Sequence, residues 1–400
     1  MKIAIMANAN ESAFKSRDTK YLCEIIDKPM IAYPIEHAKS LSKEIYVVAH
    51  ENEKLKTAVE GLGIQFIEES AATKFFTQQF GNEPVMVIQG DELNISLDML
   101  STLMRLHNSS DAPATYVKVD DYLLTHYHGL AEQLPPYIVA ASSFAPLTDV
   151  LKAHPNAEAY AVPNYLSERV ITRQCLNMAI YRISSENCAK LMQNGVSILD
   201  PLSTASVCIG SDVTIDPDAI IYPNVQITGK THIGAGTVVR SGTRIHNMTI
   251  GTDCEIEHSV LLESSIGDHT NIGPFAYIRP GSKIGSHCRI GNFVEVKNSN
   301  IGDKSKAAHL AYLGDADVGS DVNYGCGCIT ANYDGKNKSR TTIEDGVFVG
   351  SNSNLIAPVH LGKDCFIAAG STITKDVEPG VLAIARKQQE IKTNWERPKK

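Results

Sequence analysis

Residues 209–245 read IGSDVTIDPDAIIYPNVQITGKTHIGAGTVVRSGTRI, and an aliphatic side chain recurs there at every sixth position. Seven consecutive positions follow this period: Ile209, Ile215, Ile221, Ile227, Ile233, Val239 and Ile245. A period of six matches neither the 3.6 residues of a helical turn nor the two-residue alternation of a plain strand. It matches a short strand followed by a tight turn, repeated so that one side chain of each unit points inward.

The same period continues to residue 373 in blocks that are offset from one another. The later markers are Ile250, Ile256 and Leu262; Ile266, Ile272, Ile278, Ile284, Ile290 and Val296; Ile301, Ala307 and Leu313; Val318, Tyr324 and Thr330; and Ile343, Val349, Leu355, Leu361, Ile367 and Ile373. Three units would close one triangular coil, and stacked coils would bury a column of aliphatic side chains. The pattern therefore predicts a parallel β-helix of hexapeptide repeats, because a β-sandwich would alternate with a period of two.

One polar segment, residues 331–342, interrupts the period between Thr330 and Ile343. It contains Gly335, and we expect all twelve residues to leave the wall of the β-helix. Binding and catalytic residues concentrate on such excursions from a rigid scaffold. The segment is therefore predicted to carry function rather than to be a neutral surface insertion.

Before residue 200, apolar strands alternate with helical stretches. Strands are predicted at Lys2–Met6, Glu44–His50, Ile64–Ile67 and Pro84–Gln89, and helices at Met30–Ser40, Glu53–Gly61, Ser96–His107 and Ser184–Asn194. This alternation predicts a doubly wound, Rossmann-like α/β domain with helices on both faces of its sheet. The expected organisation is an α/β domain over residues 1–183, a connecting helix and linker over 184–200, the β-helix over 201–386 and a polar tail over 387–400.

The composition excludes several classes of protein. The chain has 400 residues, 43% of them hydrophobic, and a net charge of −8, which disfavours nucleic acid as a partner. No apolar run approaches the roughly 20 residues that span a bilayer. Nine scattered cysteines without a Cys-x-x-Cys pair favour reduced thiols and a cytoplasmic location. Cys326 and Cys328 could form a metal or redox pair, but they are interpreted as two small residues in a narrow core.

Three motifs in the repeat region resemble those of one enzyme family. They are GNFVEVK over residues 291–297, SKAAHLAYLGD over 305–315 and NYDG over 332–335. On these residues, the chain from about 195 to 388 resembles the acetyltransferase half of the bifunctional N-acetylglucosamine-1-phosphate uridyltransferase/glucosamine-1-phosphate N-acetyltransferases. The resemblance implies a left-handed β-helix, acetyl-coenzyme A as co-substrate, glucosamine 1-phosphate as acceptor and a homotrimer assembled through the β-helix.

The resemblance also implies that His309 is the general base. The acceptor amine is protonated near neutral pH and must lose a proton before it attacks a thioester. A neutral imidazole, with a pKa ordinarily near roughly 6.5, suits this task. A lone histidine could instead be a hydrogen-bonded structural residue, but the Lys-x-x-His-x-x-Tyr context of Lys306, His309 and Tyr312 favours catalysis.

Two sets of binding residues follow from the same resemblance. The acceptor set is Arg279, Lys297, Tyr312, Asn323 and Lys338, and the acetyl-coenzyme A set is Cys326, Asn332, Tyr333, Ser351, Ala369 and Arg386. Cations suit a dianionic phosphate, and hydrogen-bond donors suit the charge that develops on a thioester oxygen. The family often has alanine where this chain has Cys326, so this contact is expected through the backbone, and an acetyl-cysteine route would need an activated thiolate.

The N-terminal half resembles the family's uridyltransferase domain less closely. The phosphate loop of that domain has two glycines and an arginine, where this chain has Ala9, Glu11 and Ala13. The loss of glycine hinders the approach of backbone N–H groups to a triphosphate, and the carboxylate of Glu11 would repel it. We therefore expect a trimmed, nucleotidyltransferase-like domain that has lost uridyl transfer.

A remnant of the nucleotide site is nevertheless expected. Lys20 aligns with a nucleotide-binding lysine and Asp91 with one magnesium ligand of the family, while Thr172 falls where the other ligand is an asparagine. A lone aspartate at a strand end is a weak metal site. No resident metal is therefore expected, and magnesium would be needed only if the site were active.

Three functions remain open from the sequence. They are an acetyltransferase with a degenerate first domain, a fully bifunctional enzyme that also makes UDP-N-acetylglucosamine from UTP and N-acetylglucosamine 1-phosphate, and a non-catalytic trimeric scaffold. The number of matched polar residues in the C-terminal half favours the first. Because the family's sites lie between subunits, Lys338 or Arg386 would then act in the site of a neighbouring subunit.

Overall fold

The computed structural model describes residues 1–8, 14–16, 18–93, 95–118, 136–161, 169–199, 206–393 and 395. The chain divides into two compact units, Met1–Arg182 and Ile183–Lys400. Across the described residues, no helix is both long and apolar enough to span a membrane.

The first unit is built around a seven-stranded mixed sheet. The described strands of this unit, seven in the sheet and two in a separate hairpin, are β1 (Lys2–Ala7), β2 (Glu24–Ile25), β3 (Lys28–Pro29), β4 (Ile45–Ala49), β5 (Gln65–Glu68), β6 (Pro84–Gln89), β7 (Ala114–Lys118), β8 (Tyr137–Ala140) and β9 (Glu158–Ala161). The order across the sheet is β5-β4-β1-β6-β8-β7-β9, with β8 antiparallel to both neighbours and β2–β3 a separate hairpin. This confirms the predicted α/β class, with one antiparallel strand added.

Six α-helices occur in the described part of residues 1–193. They are α1 (Ala32–Lys39), α2 (Glu53–Gly61), α3 (Glu69–Phe80), α4 (Leu97–Ser109), α5 (Leu147–Ala153) and α6 (Arg173–Gln193). Two of them begin at side-chain caps: Asn52 accepts from the N–H of Leu55 at 2.9 Å, and Ser96 accepts from the N–H of Met99 at 3.1 Å. Each cap satisfies an N–H group that the first helical turn leaves unpaired.

The predicted start of the last helix is wrong. Helix α6 begins at Arg173, so Ser184 lies inside the helix instead of before it. The Ser184 hydroxyl donates to the carbonyl of Val207 at 2.8 Å and accepts from the N–H of Ile209 at 3.3 Å. Ser184 therefore satisfies backbone groups of the β-helix strand Val207–Ile209. A helix-cap signature in the sequence cannot distinguish this role from capping.

The second unit is a left-handed parallel β-helix with three faces. The first face contains Ser197–Ile198, Ile220–Ile221, Val238–Val239, Glu255–Ile256, Asn271–Ile272, Asn323–Tyr324, Phe348–Val349, Phe366–Ile367 and Leu382–Ala383. The second face contains Val207–Ile209, Val225–Thr228, Arg244–His246, Val260–Leu262, Tyr277–Ile278, Ile329–Ala331, Asn354–Ile356 and Thr372–Ile373. The third face contains Thr214–Ile215, His232–Ile233, Thr249–Ile250, Ser265–Ile266, Lys283–Ile284, Asn300–Ile301, Ala316–Val318, Thr341–Ile343 and Val359–Leu361.

Two long strands connect the first face to the second. Arg289–Lys297 and Lys306–Gly314 each run from the first face around a corner into the second. The first two faces thereby form one sheet of 19 strands, beside a separate nine-stranded sheet on the third face. The candidate catalytic residue His309 lies at this corner.

Aliphatic side chains stack on one another from coil to coil. Ile227 lies opposite Ile245, eighteen residues later, and Ile245 lies opposite Leu261, only sixteen residues later. Leu261 is fully buried, whereas Leu262, the predicted marker, is only partly buried. The marker prediction at Leu262 is therefore wrong, because the shorter coil moves the inward position back by one residue.

Small hydroxyl side chains hold consecutive coils together. The Thr237 hydroxyl donates to the carbonyl of Gly251 at 2.8 Å and accepts from the N–H of Cys254 at 3.1 Å. Ser305, on the same edge of the prism in a later coil, donates to the carbonyl of Gly319 at 2.7 Å and accepts from the N–H of Val322 at 3.0 Å. These hydroxyls satisfy buried backbone groups in a narrow prism that has little room for water.

The excursion is shorter than predicted. Ala331 ends the strand Ile329–Ala331, and Thr341 and Thr342 begin the strand Thr341–Ile343, so residues 332–340 alone leave the wall. The interpretation of the cysteine pair is also half wrong. Cys328 is buried, but Cys326 is exposed, because Gly327 turns the chain between them with a φ of 75°.

Candidate active site

One edge of the prism, the corner between the first and second faces, carries His309. In successive coils this corner contains a residue with left-handed backbone: Phe293, Leu310, Gly327, Asn352 and Gly370, with φ between 37° and 75°. The N–H of Gly327 donates to the carbonyl of Leu310 at 2.7 Å, which places one coil directly above the other. We refer to this corner as the Leu310 edge. His309 immediately precedes Leu310 and is exposed on the outside of the prism.

His309 has a polar partner in the preceding coil. Asn292 lies opposite His309 in the parallel register of the two long strands. The Oδ1 atom of Asn292 is 2.7 Å from Nδ1 of His309, which leaves Nε2 outside this contact. Asn292 was not among the predicted site residues, although it belongs to the GNFVEVK motif and precedes His309 by seventeen residues, one coil of the β-helix.

Residues from the predicted coenzyme set stand on the same edge. Cys326, Ser351 and Ala369 immediately precede Gly327, Asn352 and Gly370, and all three are exposed. The N–H of Asn352 donates to the carbonyl of Cys326, and the N–H of Gly370 donates to that of Ser351, each at 2.8 Å. A Cβ atom on Gly370 would lie 3.8 Å from Cδ of Arg386, so Arg386 also reaches this edge.

Residues from the predicted acceptor set lie on the adjoining second face. Arg279 Nη1 is 2.8 Å from Glu295 Oε1, and this hydrogen bond raises the pKa of Arg279. Glu295 lies opposite Tyr312 in the register. The Tyr312 phenol extends over the end of its own strand, where a Cβ atom on Gly314 would come within 2.2 Å of its oxygen. Only glycine at position 314 permits this placement.

Two lysines meet at the far end of the second face. Lys338 lies beside Lys297, whose ammonium group lowers the pKa of Lys338, and Arg279 adds to this effect. Lys297 Nζ is 3.6 Å from Oδ2 of Asp315, whose side chain is 6% exposed. Arg279, Lys297 and Lys338 therefore stand against two carboxylates, Glu295 and Asp315, which leaves one positive charge in excess.

Asp315 is the centre of a hydrogen-bond network that sequence analysis missed. Asn298 Nδ2 donates to its Oδ1 at 2.6 Å, and Asn332 Nδ2 donates to its Oδ2. Burial opposes ionisation of Asp315, but these two amides and the charges of Lys297 and Lys338 hold its pKa below the ordinary value. Asn298, Asp315 and Asn332 are separated by seventeen residues each, so the repeat length could have placed them together.

The excursion loop is closed by its own hydrogen bonds. Asp334 Oδ1 accepts from the N–H groups of Lys336 at 2.7 Å and Asn337 at 2.6 Å, and these bonds lower the pKa of Asp334. Tyr333 pairs with Lys338 as an isolated antiparallel bridge, and its hydroxyl donates to the carbonyl of Gly335 at 2.6 Å. The loop thus presents Asn332, Tyr333 and Lys338 from a compact, defined conformation.

Asn323 stands apart from the other acceptor residues. Its Cα lies opposite those of Lys306 and Phe348 on the first face. The remaining members of the two predicted sets are arranged around the Leu310 edge and the second face. An acyl donor on the edge and a phosphorylated acceptor on the second face would meet at His309.

The first unit places Lys20 and Asp91 together, with a third residue that the sequence did not predict. Lys20 Nζ is 2.5 Å from Asp91 Oδ2, and Arg169 donates from Nε to Oδ1 at 2.9 Å and from Nη2 to Oδ2 at 3.1 Å. The side chain of Asp91 is fully buried. Burial opposes the charge of Arg169, but the attraction of Asp91 raises the pKa of Arg169 above its ordinary value.

These contacts do not fit the magnesium site suggested for Asp91. Both carboxylate oxygens accept hydrogen bonds from cations, so a divalent ion would have to displace Arg169 and Lys20. Thr172 Oγ1 accepts from the N–H of Cys175 at 3.2 Å at the start of α6. Within the described residues, no group of three or more His, Cys, Asp or Glu side chains could hold a metal ion. Ala9, Glu11 and Ala13 lie outside the described residues.

Comparisons with known proteins agree with this architecture. A model of the family "Bacterial transferase hexapeptide (six repeats)" matches residues 263–298 and 340–375. Proteins named "Bifunctional protein GlmU" match nearly the full chain. The protein of Geobacillus sp. (strain WCH70) is 36% identical, covering 98% of this chain and 96% of its own length, and that of Bacillus subtilis (strain 168) is 33% identical, covering 98% and 97%.

A third relative matches more closely over a shorter region. The "Bifunctional protein GlmU" of Clostridium perfringens (strain SM101 / Type A) is 52% identical over 212 residues, which are 52% of this chain and 45% of that protein. The full-length matches extend over 455 aligned positions, more than the 400 residues present here. The relatives therefore contain segments that this chain lacks.

Proposed function

The chain belongs to the GlmU family and is an acyltransferase, and on this premise we propose that it transfers an acetyl group from acetyl-coenzyme A to the 2-amino group of glucosamine 1-phosphate. The observation that carries the proposal is the position of His309. It stands where the edge with Cys326, Ser351 and Ala369 meets the face with the cationic cluster.

The proposed reaction needs one base and one leaving-group acid, and His309 supplies both. Nε2 of His309 takes a proton from the amine as its nitrogen attacks the thioester carbonyl carbon. The C–S bond then breaks, and the imidazolium returns the proton to the departing thiolate. Asn332 donates from Nδ2 to Asp315 at the far end of the second face, so within one chain it lies with the cationic cluster and not beside the acyl group at His309.

The cationic cluster is proposed to bind the acceptor phosphate. Lys297, and to a lesser degree Arg279, lower the pKa of Lys338, and a bound dianion would offset the repulsion among these like charges. Arg279 would exchange its ion pair with Glu295 for the phosphate, or share its five donors between them. Tyr312 lies between this cluster and His309 along the strand and would contact the sugar.

A homotrimer is the proposed assembly. The Leu310 edge exposes Phe293 and Leu310, and Phe275 in the coil before them, at 55–59% of their surface. Phe275 and Phe293 stack with ring centroids 5.5 Å apart. Apolar residues grouped beside a candidate active site are typical of a surface covered by another subunit. Neighbouring copies would then enclose the reaction at His309.

The first unit is proposed to have lost uridyl transfer. Arg169 and Lys20 hold both oxygens of Asp91, and Glu11 replaces a glycine of the phosphate loop. Retention of both activities is the alternative, which the full-length match to bifunctional relatives favours.

Two assays on the purified full chain test these proposals. Thiol release from acetyl-coenzyme A with glucosamine 1-phosphate should be positive and should fall by about 10²–10⁴-fold in His309→Ala. The matched control, His287→Ala, removes another exposed histidine of the β-helix and should leave the rate unchanged. Pyrophosphate release from UTP, magnesium and N-acetylglucosamine 1-phosphate should stay at background. A positive second assay would establish the bifunctional alternative, and a His309→Ala variant with full activity would refute the proposed base.

A further inference from the structure

We propose that Asn292 is a positioning residue that fixes the tautomer and orientation of His309. This inference rests on the proposed acetyl transfer. An amide oxygen can only accept a hydrogen bond, so the contact from Asn292 Oδ1 to His309 Nδ1 requires the proton to be on Nδ1. A neutral imidazole with its proton on Nδ1 has its lone pair on Nε2. Nε2 is then the nitrogen able to take a proton from the acceptor amine.

The backbone around Asn292 is built to hold this contact. The two strands that carry Asn292 and His309 are nine residues long, whereas the other strands of the β-helix have two to four residues. A Cβ atom on Gly291 would come within 1.9 Å of the carbonyl oxygen of Ala308. Glycine at position 291 therefore lets the two coils approach closely, directly beside the Asn292–His309 pair.

The amide also fits the base better than a carboxylate would. A carboxylate opposite Nδ1 would stabilise the imidazolium, whereas a neutral amide orients the ring without adding a charge. The base must be unprotonated to accept the amine proton, and a neutral amide does not favour the protonated ring as a carboxylate would. The cationic cluster is placed on the other side of Tyr312, at the far end of the second face.

The first test measures the kinetics of acetyl transfer in Asn292→Ala. The turnover number should fall by roughly 10- to 100-fold, less than the loss of the base itself, while KM for both substrates stays within about twofold. In the His309→Ala background, Asn292→Ala should cause no further loss, because the residue acts only through His309. Asn271→Ala, another asparagine on the outside of the β-helix, is the matched control and should retain full activity.

The conservative variant Asn292→Asp keeps an acceptor of the same size and should restore most of the turnover at about pH 8.5, where imidazole is neutral. Failure of this rescue together with a normal fold would argue that the amide contributes something other than the hydrogen bond to Nδ1. Unchanged turnover in Asn292→Ala would refute the positioning role.

The second test does not depend on catalysis. Solid-state NMR of the sedimented full chain, with ¹⁵N in its histidine rings and His309 assigned by difference from His309→Gln, reports which ring nitrogen carries the proton. The native chain should show the Nδ1–H form, and Asn292→Ala should lose it in favour of Nε2–H. An Nε2–H ring in the native chain would overturn the inference. If the native chain shows Nδ1–H but does not acetylate glucosamine 1-phosphate, the proposed function fails while the positioning of His309 stands.

Discussion

Lys338, on the excursion loop, adds a positive charge to the proposed phosphate-binding site. It lies beside Lys297 with its pKa lowered, so its ammonium group is held where another cation already stands. Two neighbouring ammonium groups do not stabilise the folded chain, and such a pair is typical of an anion-binding site. The cluster also differs from a solvated surface charge because Asp315 fixes Lys297 in place.

Replacing Lys338 by methionine should therefore weaken acceptor binding selectively. One charge-assisted hydrogen bond to phosphate contributes about 1.5–3 kcal/mol, so KM for glucosamine 1-phosphate should rise by roughly 10- to 100-fold. KM for acetyl-coenzyme A should stay unchanged. Lys336→Met, on the same loop and equally exposed, is the control. Steady-state kinetics of both variants measures this effect. An equal rise of KM for glucosamine 1-phosphate in both variants would show a nonspecific loss of positive charge instead of a phosphate contact.

At the scale of elements, the excursion loop is fastened to the wall by Asp315. Its carboxylate accepts from Asn298 in the coil before it and from Asn332 at the start of the loop, while Lys297 supplies a charge. Because its pKa is lowered in the folded chain, its contribution to stability is fully present above the ordinary carboxyl pKa. The contribution is lost as pH falls through the lower folded-state pKa.

Asp315→Asn should accordingly lower the melting temperature by a few degrees at pH 7, and the gap to the native chain should narrow as the pH is brought below about 4. Scanning calorimetry or dye-monitored melting across this range measures the gap. The control is Asp321→Asn, an exposed aspartate at a corner with a φ of 57°, which asparagine tolerates. A gap that stays constant with pH would rule out the ionised carboxylate as the fastening group.

The repeats show which features of the β-helix could be predicted from the sequence and which could not. The six-residue period predicted the β-helix because one inward side chain per unit is a geometric requirement of its coils. It failed at Leu262, since two adjacent leucines satisfy the period equally and only the length of that coil chooses Leu261. The candidate partners of His309 and Lys297 were missed for another reason. Asn292 and Asp315 become neighbours of these residues only through the coil length, which needs the register and not the motif.

At the scale of the whole molecule, the effect of removing the Asp91 carboxylate on the free energy of unfolding distinguishes two cases. In one the first unit retains a nucleotide site, and in the other buried cations occupy the carboxylate. A carboxylate that binds a metal destabilises the metal-free protein, so its removal stabilises the chain. A carboxylate kept as the partner of buried cations is needed for folding. Asp91, with Arg169 and Lys20 on its two oxygens and no exposure to solvent, belongs to the second class.

Asp91→Ala should therefore destabilise the full chain, by about 3–5 kcal/mol, because the buried side chains of Lys20 and Arg169 lose the carboxylate that accepts from both. The same logic predicts that UTP with magnesium leaves the melting temperature of the native chain unchanged. Acetyl-coenzyme A at 100 times its dissociation constant should stabilise the chain by about 2.7 kcal/mol. Melting curves with each ligand and with Asp91→Ala test both statements together. A stabilising Asp91→Ala, or a shift caused by UTP and magnesium, would mean that the first unit still recognises a metal–nucleotide, and the chain would then have to be treated as bifunctional.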